Sequence, residues 1–351
     1  MSARIVTVAN MKARARQLGE AVDVAGLGVD TYPGAVRKSN WDHYRLALVE
    51  IEPDQAALDE VLSKLRPDCH VALLLPELDV AGVARRMQDP RINHLFAQPM
   101  GVHELRAFGE KLATGAIFGL ERLLPDQATV QYQRLSSYPG RLRVLSELED
   151  FVTRQRLRSR VRLEASRVAE EMLMNAMYQA PVDNEGRRVY ADVECKARIK
   201  RRTPRPVSIR YATHDGNLYL CVRDRYGSFH REDLARYLLR CATTTQQIED
   251  KKLGAGLGLY IIASSVSRLE INMLPGSVTE FIGVVEPPVN GGHLRSVSFT
   301  TQRPSQGSPG VSEELLRLLA PASTPLLEHL PPSMPGSALT RALLDWFPAA
   351  A

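Results

Sequence analysis

Glu171 and Asn175 stand four residues apart in a stretch, residues 161–178, that lacks Gly and Pro and repeats apolar residues at helical spacing. One helix face therefore presents an acid and an amide together. Asn is a poor interior helix residue because its amide competes for backbone hydrogen bonds. Its place among Met172, Leu173, Met174, Ala176 and Met177 calls for a chemical reason. Further on, Asp224 follows an apolar run, and Gly254-Ala-Gly-Leu-Gly-Leu259 leads into a helical pattern over 257–268. Glycines at 254, 256 and 258 let a backbone approach phosphate closely, and the helix start offers N–H groups and the positive end of a dipole. A dinucleotide-binding loop also opens a helix in this way. Here no βαβ unit begins at the motif, which instead follows a hairpin and a polar segment.

These residues need a frame to hold them. Residues 207–212 and 218–222 alternate around His214-Asp-Gly-Asn217, a hairpin signature that sets Asp224 at a strand end. Pro181 and Asp183-Asn-Glu-Gly186 stop the helix that carries Glu171 and Asn175. Pro275-Gly-Ser-Val-Thr279-Glu-Phe281 supplies a late turn and strand.

In this order, residues 128–301 resemble the ATP site of the GHKL superfamily, which includes gyrase-type ATPases, histidine kinases and anti-sigma serine kinases. The resemblance implies ATP and Mg²⁺ as cofactors and a Bergerat-type α/β sandwich with a mixed sheet. It implies that Asn175 ligates Mg²⁺ through its side-chain oxygen, a donor type this ion prefers. Glu171 would orient or deprotonate the nucleophile, and Asp224 would accept a hydrogen bond from the adenine amino group. Gly254, Gly256, Leu257 and Gly258 would line the phosphates, and Thr279 would support Asp224. Residues 241–252 would form the ATP lid, from which Lys251 or Lys252 reaches the terminal phosphates; solvated loop charge is the competing reading of that pair. The family writes Asp-x-Gly-x-Gly after the adenine Asp. This chain has Asp224-Arg-Tyr-Gly227-Ser, so Tyr226 crowds the turn unless Gly227, its one glycine, takes special backbone angles.

Upstream, apolar strands at 4–9, 44–50, 71–75 and 94–97 alternate with helical patterns at 12–24, 58–65, 80–87 and 103–124. That alternation predicts a parallel, flavodoxin-like sheet covered on both faces. The region resembles a response-regulator receiver whose chemistry is missing. Glu50 stands at the phosphoacceptor position, Gln98-Pro99 replaces Lys-Pro, and Ala9-Asn10 replaces the acidic pair that holds Mg²⁺. We read it as a pseudoreceiver that binds a partner or dimerises; a generic flavodoxin-like domain is the alternative.

The chain has 351 residues, 44% hydrophobic and 24% charged, with a net charge of +5. This is ordinary for a globular protein. No apolar run approaches the ~20 residues of a membrane span, and no signal core precedes a cleavage site, so a cytoplasmic address is expected; the resemblance implies a bacterial protein. Cys69, Cys195, Cys221 and Cys241 form no metal-binding spacing. The basic stretch from Lys196 to Arg205 has no interleaved aromatics and points to a solvated loop rather than nucleic acid. Residues 125–213 contain no His, and His103-Glu-Leu-Arg106 lacks the Thr-Pro of a phosphoacceptor box. The kinase branch more closely resembled is the anti-sigma serine type; a diverged histidine kinase using His103 is the further alternative. The expected organisation is a pseudoreceiver (1–124), a histidine kinase-like ATPase domain (125–302) and a mostly disordered Pro/Ser-rich tail (303–351). The expected function is an ATP-binding signalling protein with protein partners. A non-catalytic scaffold or nucleotide sensor is the competing class.

Overall fold

The computed structural model describes residues 4–9, 29–33, 41, 43–50, 55–98, 104, 107–109, 111–112, 115–190, 202–243, 254–287 and 294–302. The first five strands are β1 (Arg4–Ala9), β2 (Val29–Pro33), β3 (Tyr44–Glu50), β4 (His70–Leu75) and β5 (Ile92–Ala97). They lie in the order β2-β1-β3-β4-β5, every pair parallel. This is a flavodoxin-like order. Runs such as Val71-Ala-Leu-Leu are what a sheet covered on both faces requires. On one face, Val61 and Leu62 of α1 (Gln55–Lys64) and Val83 of α2 (Val80–Arg86) meet Val71 and Leu73. On the other, Phe108 packs with Leu46, Leu48 and Phe96. Asp79 caps α2, its carboxylate accepting from Gly82 N at 2.5 Å.

The sheet continues without a break. Its second half holds β6 (Gln131–Leu135), β7 (Val207–His214), β8 (Asn217–Asp224), β9 (Arg268–Leu274), β10 (Val278–Val285) and β11 (Ser296–Thr301), in the order β11-β9-β10-β8-β7-β6. β11 runs parallel to β9 and the remaining pairs are antiparallel, so this half is mixed. One face carries α3 (Tyr138–Arg154), α4 (Ser159–Met174) and α6 (Gly254–Ser265), whose Leu148, Met172 and Ile262 share a core with Leu220 and Ile271. α5 (Arg231–Thr243) lies between α6 and α2. Among the described residues no helix is long and apolar enough to cross a membrane. Cys69 and Cys221 are free, buried thiols, and burial pushes Cys69 up to about 12.

The helix expected over 103–124 is shorter. Residues 115–120 leave the helical path, and Glu121–Leu123 make a single 3₁₀ turn. Leu120 is buried against Ala212, Cys221, Ile282 and Val284, closing the back face of the mixed half. Buried carboxylates explain the departure, because they need donors that an intact helix would consume. Glu280, with no exposed surface, accepts from Gly119 N at 3.0 Å, Arg223 Nε at 3.0 Å and Asn272 Nδ2 at 3.2 Å. Burial alone would raise the neighbouring Glu270, yet Arg122 and Lys111 beside it hold it at about 2.

The two halves meet where β11 pairs antiparallel with β5, Ser298 opposite His94. Beside this seam four charges close a ring. Arg268 pairs with Glu104 at 2.5 Å and Glu286 at 3.4 Å, and Arg295 pairs with the same two acids at 3.3 and 3.6 Å.

Candidate functional site

α4 buries Val161, Ala165, Val168, Ala169, Met172 and Leu173 along one stripe, the pattern that made it legible as a helix. At Asn175 the winding loosens into a π turn, Asn175–Gln179, in which Ala180 N donates to Asn175 O at 2.8 Å. Such single π turns concentrate at functional sites. One helical turn earlier, Glu171 is half-buried. Burial, reinforced by Glu170, raises its carboxyl above the ordinary range.

α6 starts at Gly254, three residues before the helical pattern becomes visible in the sequence. The N–H groups of residues 254–257 are therefore those an α-helix leaves without intrahelical partners. Gly258 lies against α4. A methyl there would collide with Glu171 Oε2 and come within 3.8 Å of Asn175 Oδ1. The fold thus brings Glu171, Asn175 and Gly258 to one place at the start of α6.

Asp224 ends β8 and is 3% exposed. Its Oδ1 accepts from Tyr226 N at 2.8 Å and Gly227 N at 3.4 Å, closing the turn beneath it. Burial lifts its carboxyl to about 6, against the lowering by those N–H groups and by Thr279. Thr279 is opposite Asp224 in the ladder and fully buried. Its hydroxyl is close enough to act on the carboxylate but makes no hydrogen bond of regular geometry among the described residues.

Gly227 takes φ +56°, and a Cβ there would press into Leu274 O, Ser277 N and Gly276 N, all backbone. The shifted glycine is thereby explained: it lets the turn sit directly on the β9–β10 connection. Tyr226 does not crowd the turn. It is 3% exposed, its hydroxyl accepts from Arg205 N at 3.0 Å, and the Arg205 guanidinium lies 5.1 Å from its ring.

A small cleft, partly open to solvent, has Asn175 and Asp224 in its lining together with Leu259. Its walls include residues that sequence reasoning missed: Arg188, Phe229, Tyr237 and Phe281. Phe229 and Phe281 meet edge to face at 5.1 Å. Their signal was only one aromatic after the Asp224 turn and another in a later strand, too common a pattern to single out. Leu257 is exposed. Lys251 and Lys252, with the rest of the expected lid from 244 on, lie outside the described residues, as do His103, residues 196–201 and the tail from 303.

The groups that could hold a nucleotide or a cation are few. One acid stands in the cleft, an amide and a second acid converge on a helix start, and the buried Thr279 hydroxyl lacks a regular partner. In the other half, Glu50 and Gln98 come together at the C-terminal edge of the parallel strands.

No protein-family model matches the chain, and no curated protein matches it. Among solved structures, the chain is similar to the response regulator DrrB of Thermotoga maritima, an OmpR/PhoB homolog. The identity is 17% and the TM-score 0.27, over 33% of this chain and 54% of that one. The chain thus spans about half the length of the structure it matches.

Proposed function

We propose that this protein is a GHKL-type signalling ATPase or protein serine kinase. ATP and Mg²⁺ would occupy the cleft between α4, α6 and the end of β8, and the N-terminal half would serve as a pseudoreceiver that docks a protein partner. The observation that carries this reading is the convergence of Asn175 and Asp224 on one cleft from chain positions far apart.

Asp224 already accepts from Tyr226 N and Gly227 N, so its carboxylate serves as a hydrogen-bond acceptor in the cleft. It favours a ligand that presents an amino group. The N–H groups opening α6 favour an anion. When bound, Mg²⁺ neutralises phosphate charge, and Asn175 is the residue to hold it. Glu171, raised by burial, suits proton abstraction from a hydroxyl or water.

Calorimetric titration with ATP, with and without Mg²⁺, tests the site. Binding by the wild type that is lost in Asp224→Asn is the expected result. Absence of binding at millimolar ATP overturns the nucleotide reading. Binding without turnover, unchanged by Asn175→Ala, would move the protein to the nucleotide-sensor class.

A further inference from the structure

We infer that Arg188 reads the phosphate end of the bound nucleotide, exchanging its contact with Asp233 for the ligand. The inference rests on the nucleotide reading above and adds a residue that lies outside every motif in the sequence.

The described lining of the cleft contains one acid, Asp224, and one cation, Arg188. An amino-bearing ring with an anionic tail matches that pair. Arg188 closes the short hairpin that follows the π turn, bridging to Val182. Its Nη1 donates to the carbonyl of Gln179, the last residue of the π turn that begins at Asn175. The guanidinium is thereby tied to the segment that carries Asn175.

Its second contact is looser. Nη2 stands 3.5 Å from Asp233 Oδ2, well beyond the ~2.8 Å of a charged hydrogen bond. Asp233 does not depend on it. Arg236 pairs with Asp233 more closely, and Asp233 lies in the first turn of α5, where the helix dipole favours a carboxylate. Releasing Arg188 therefore strands no charge. A guanidinium has five N–H donors in a fixed fork, so it can keep the Gln179 carbonyl while taking phosphate oxygens.

The experiment compares ATP with adenosine by calorimetry on the full chain. Arg188→Gln is expected to weaken ATP by about tenfold or more, the worth of one charged contact, while adenosine changes by less than about twofold. Asp233→Asn, which removes the competitor, is expected to tighten ATP a few-fold. Should Arg188→Gln not fold, Arg188→Lys keeps the charge without the fork and should still separate the two ligands. Equal losses for ATP and adenosine would overturn the inference, leaving Arg188 as a brace for the π turn; so would weaker ATP binding by Asp233→Asn. If ATP binding by the wild type is absent or survives Asp224→Asn, the nucleotide reading itself falls, and this inference with it.

Discussion

Gln98 donates from Nε2 to Glu50 Oε1 at 2.6 Å, spanning the C-terminal ends of β5 and β3 across β4. On the proposed pseudoreceiver reading, these are the two places of a receiver's aspartate and lysine. Here a longer acid is bonded to a neutral amide, which supplies no charge to sense a phosphoryl group. Incubation with acetyl phosphate and Mg²⁺ should therefore leave the intact mass unchanged. Gln98→Leu should cost about 1 kcal/mol of stability in urea unfolding, the usual worth of such a bond.

Asp224 makes stability depend on pH in a stated direction. Its folded pKa of about 6 exceeds the ordinary 3.8, because burial penalises the charged form. The folded chain therefore holds this proton more tightly than the unfolded chain. The contribution is fully present below pH ~4 and is lost as pH rises through ~6, about 3 kcal/mol in all. Asp224→Asn keeps an oxygen for Tyr226 N and removes the ionisation. Its urea midpoint should exceed that of the wild type at pH 8 and lose the advantage near pH 4, even though the variant removes the proposed nucleotide contact.

Gly227→Ala should destabilise by about 3 kcal/mol or more, since the methyl meets backbone on three sides and the residue keeps a positive φ. Gly216→Ala, at the open hairpin turn with φ +75° and nothing within 4 Å, should cost only about 1 kcal/mol. Equal losses would show that strain alone, and not the packing of the Asp224 turn on the β9–β10 connection, explains the first.

Gly258→Ala should spare the fold and spoil the chemistry. The added methyl displaces the end of the Glu171 side chain, which is flexible, rather than backbone. The melting temperature should fall by only a few degrees, while ATP turnover drops at least about tenfold and Asp224-dependent binding persists. In the wild type the turnover rate should rise with pH through a pKa above the ordinary 4.5 of a glutamate, as a raised Glu171 requires.

Much of this was legible because it rests on local pattern. The hairpin at Asp215-Gly216, the helix carrying Glu171 and the four apolar strands of the first half all declare themselves by spacing. β2, Val-Asp-Thr-Tyr-Pro, did not, because an edge strand with two polar residues lacks the continuous apolar run of a buried one. The π turn at Asn175 has no periodicity of its own and only extends the helical signal. Gly254 and Gly256 hid the first turn of α6, since glycine lowers the helical pattern where it stands. Arg188 and Asp233 meet only through tertiary packing, which no spacing reveals.

β11 lies between β5 and β9, yet it is the last of the described strands to be made. While the chain is being synthesised, Ile92–Ala97 and Arg268–Leu274 each wait with an open edge that Ser296–Thr301 later fills. Such edges recruit other chains. Contacts between partners so distant in sequence also form slowly. Nascent or truncated chains ending before Ser296 should therefore be prone to aggregation, with losses that climb with concentration, and refolding yields should improve on dilution.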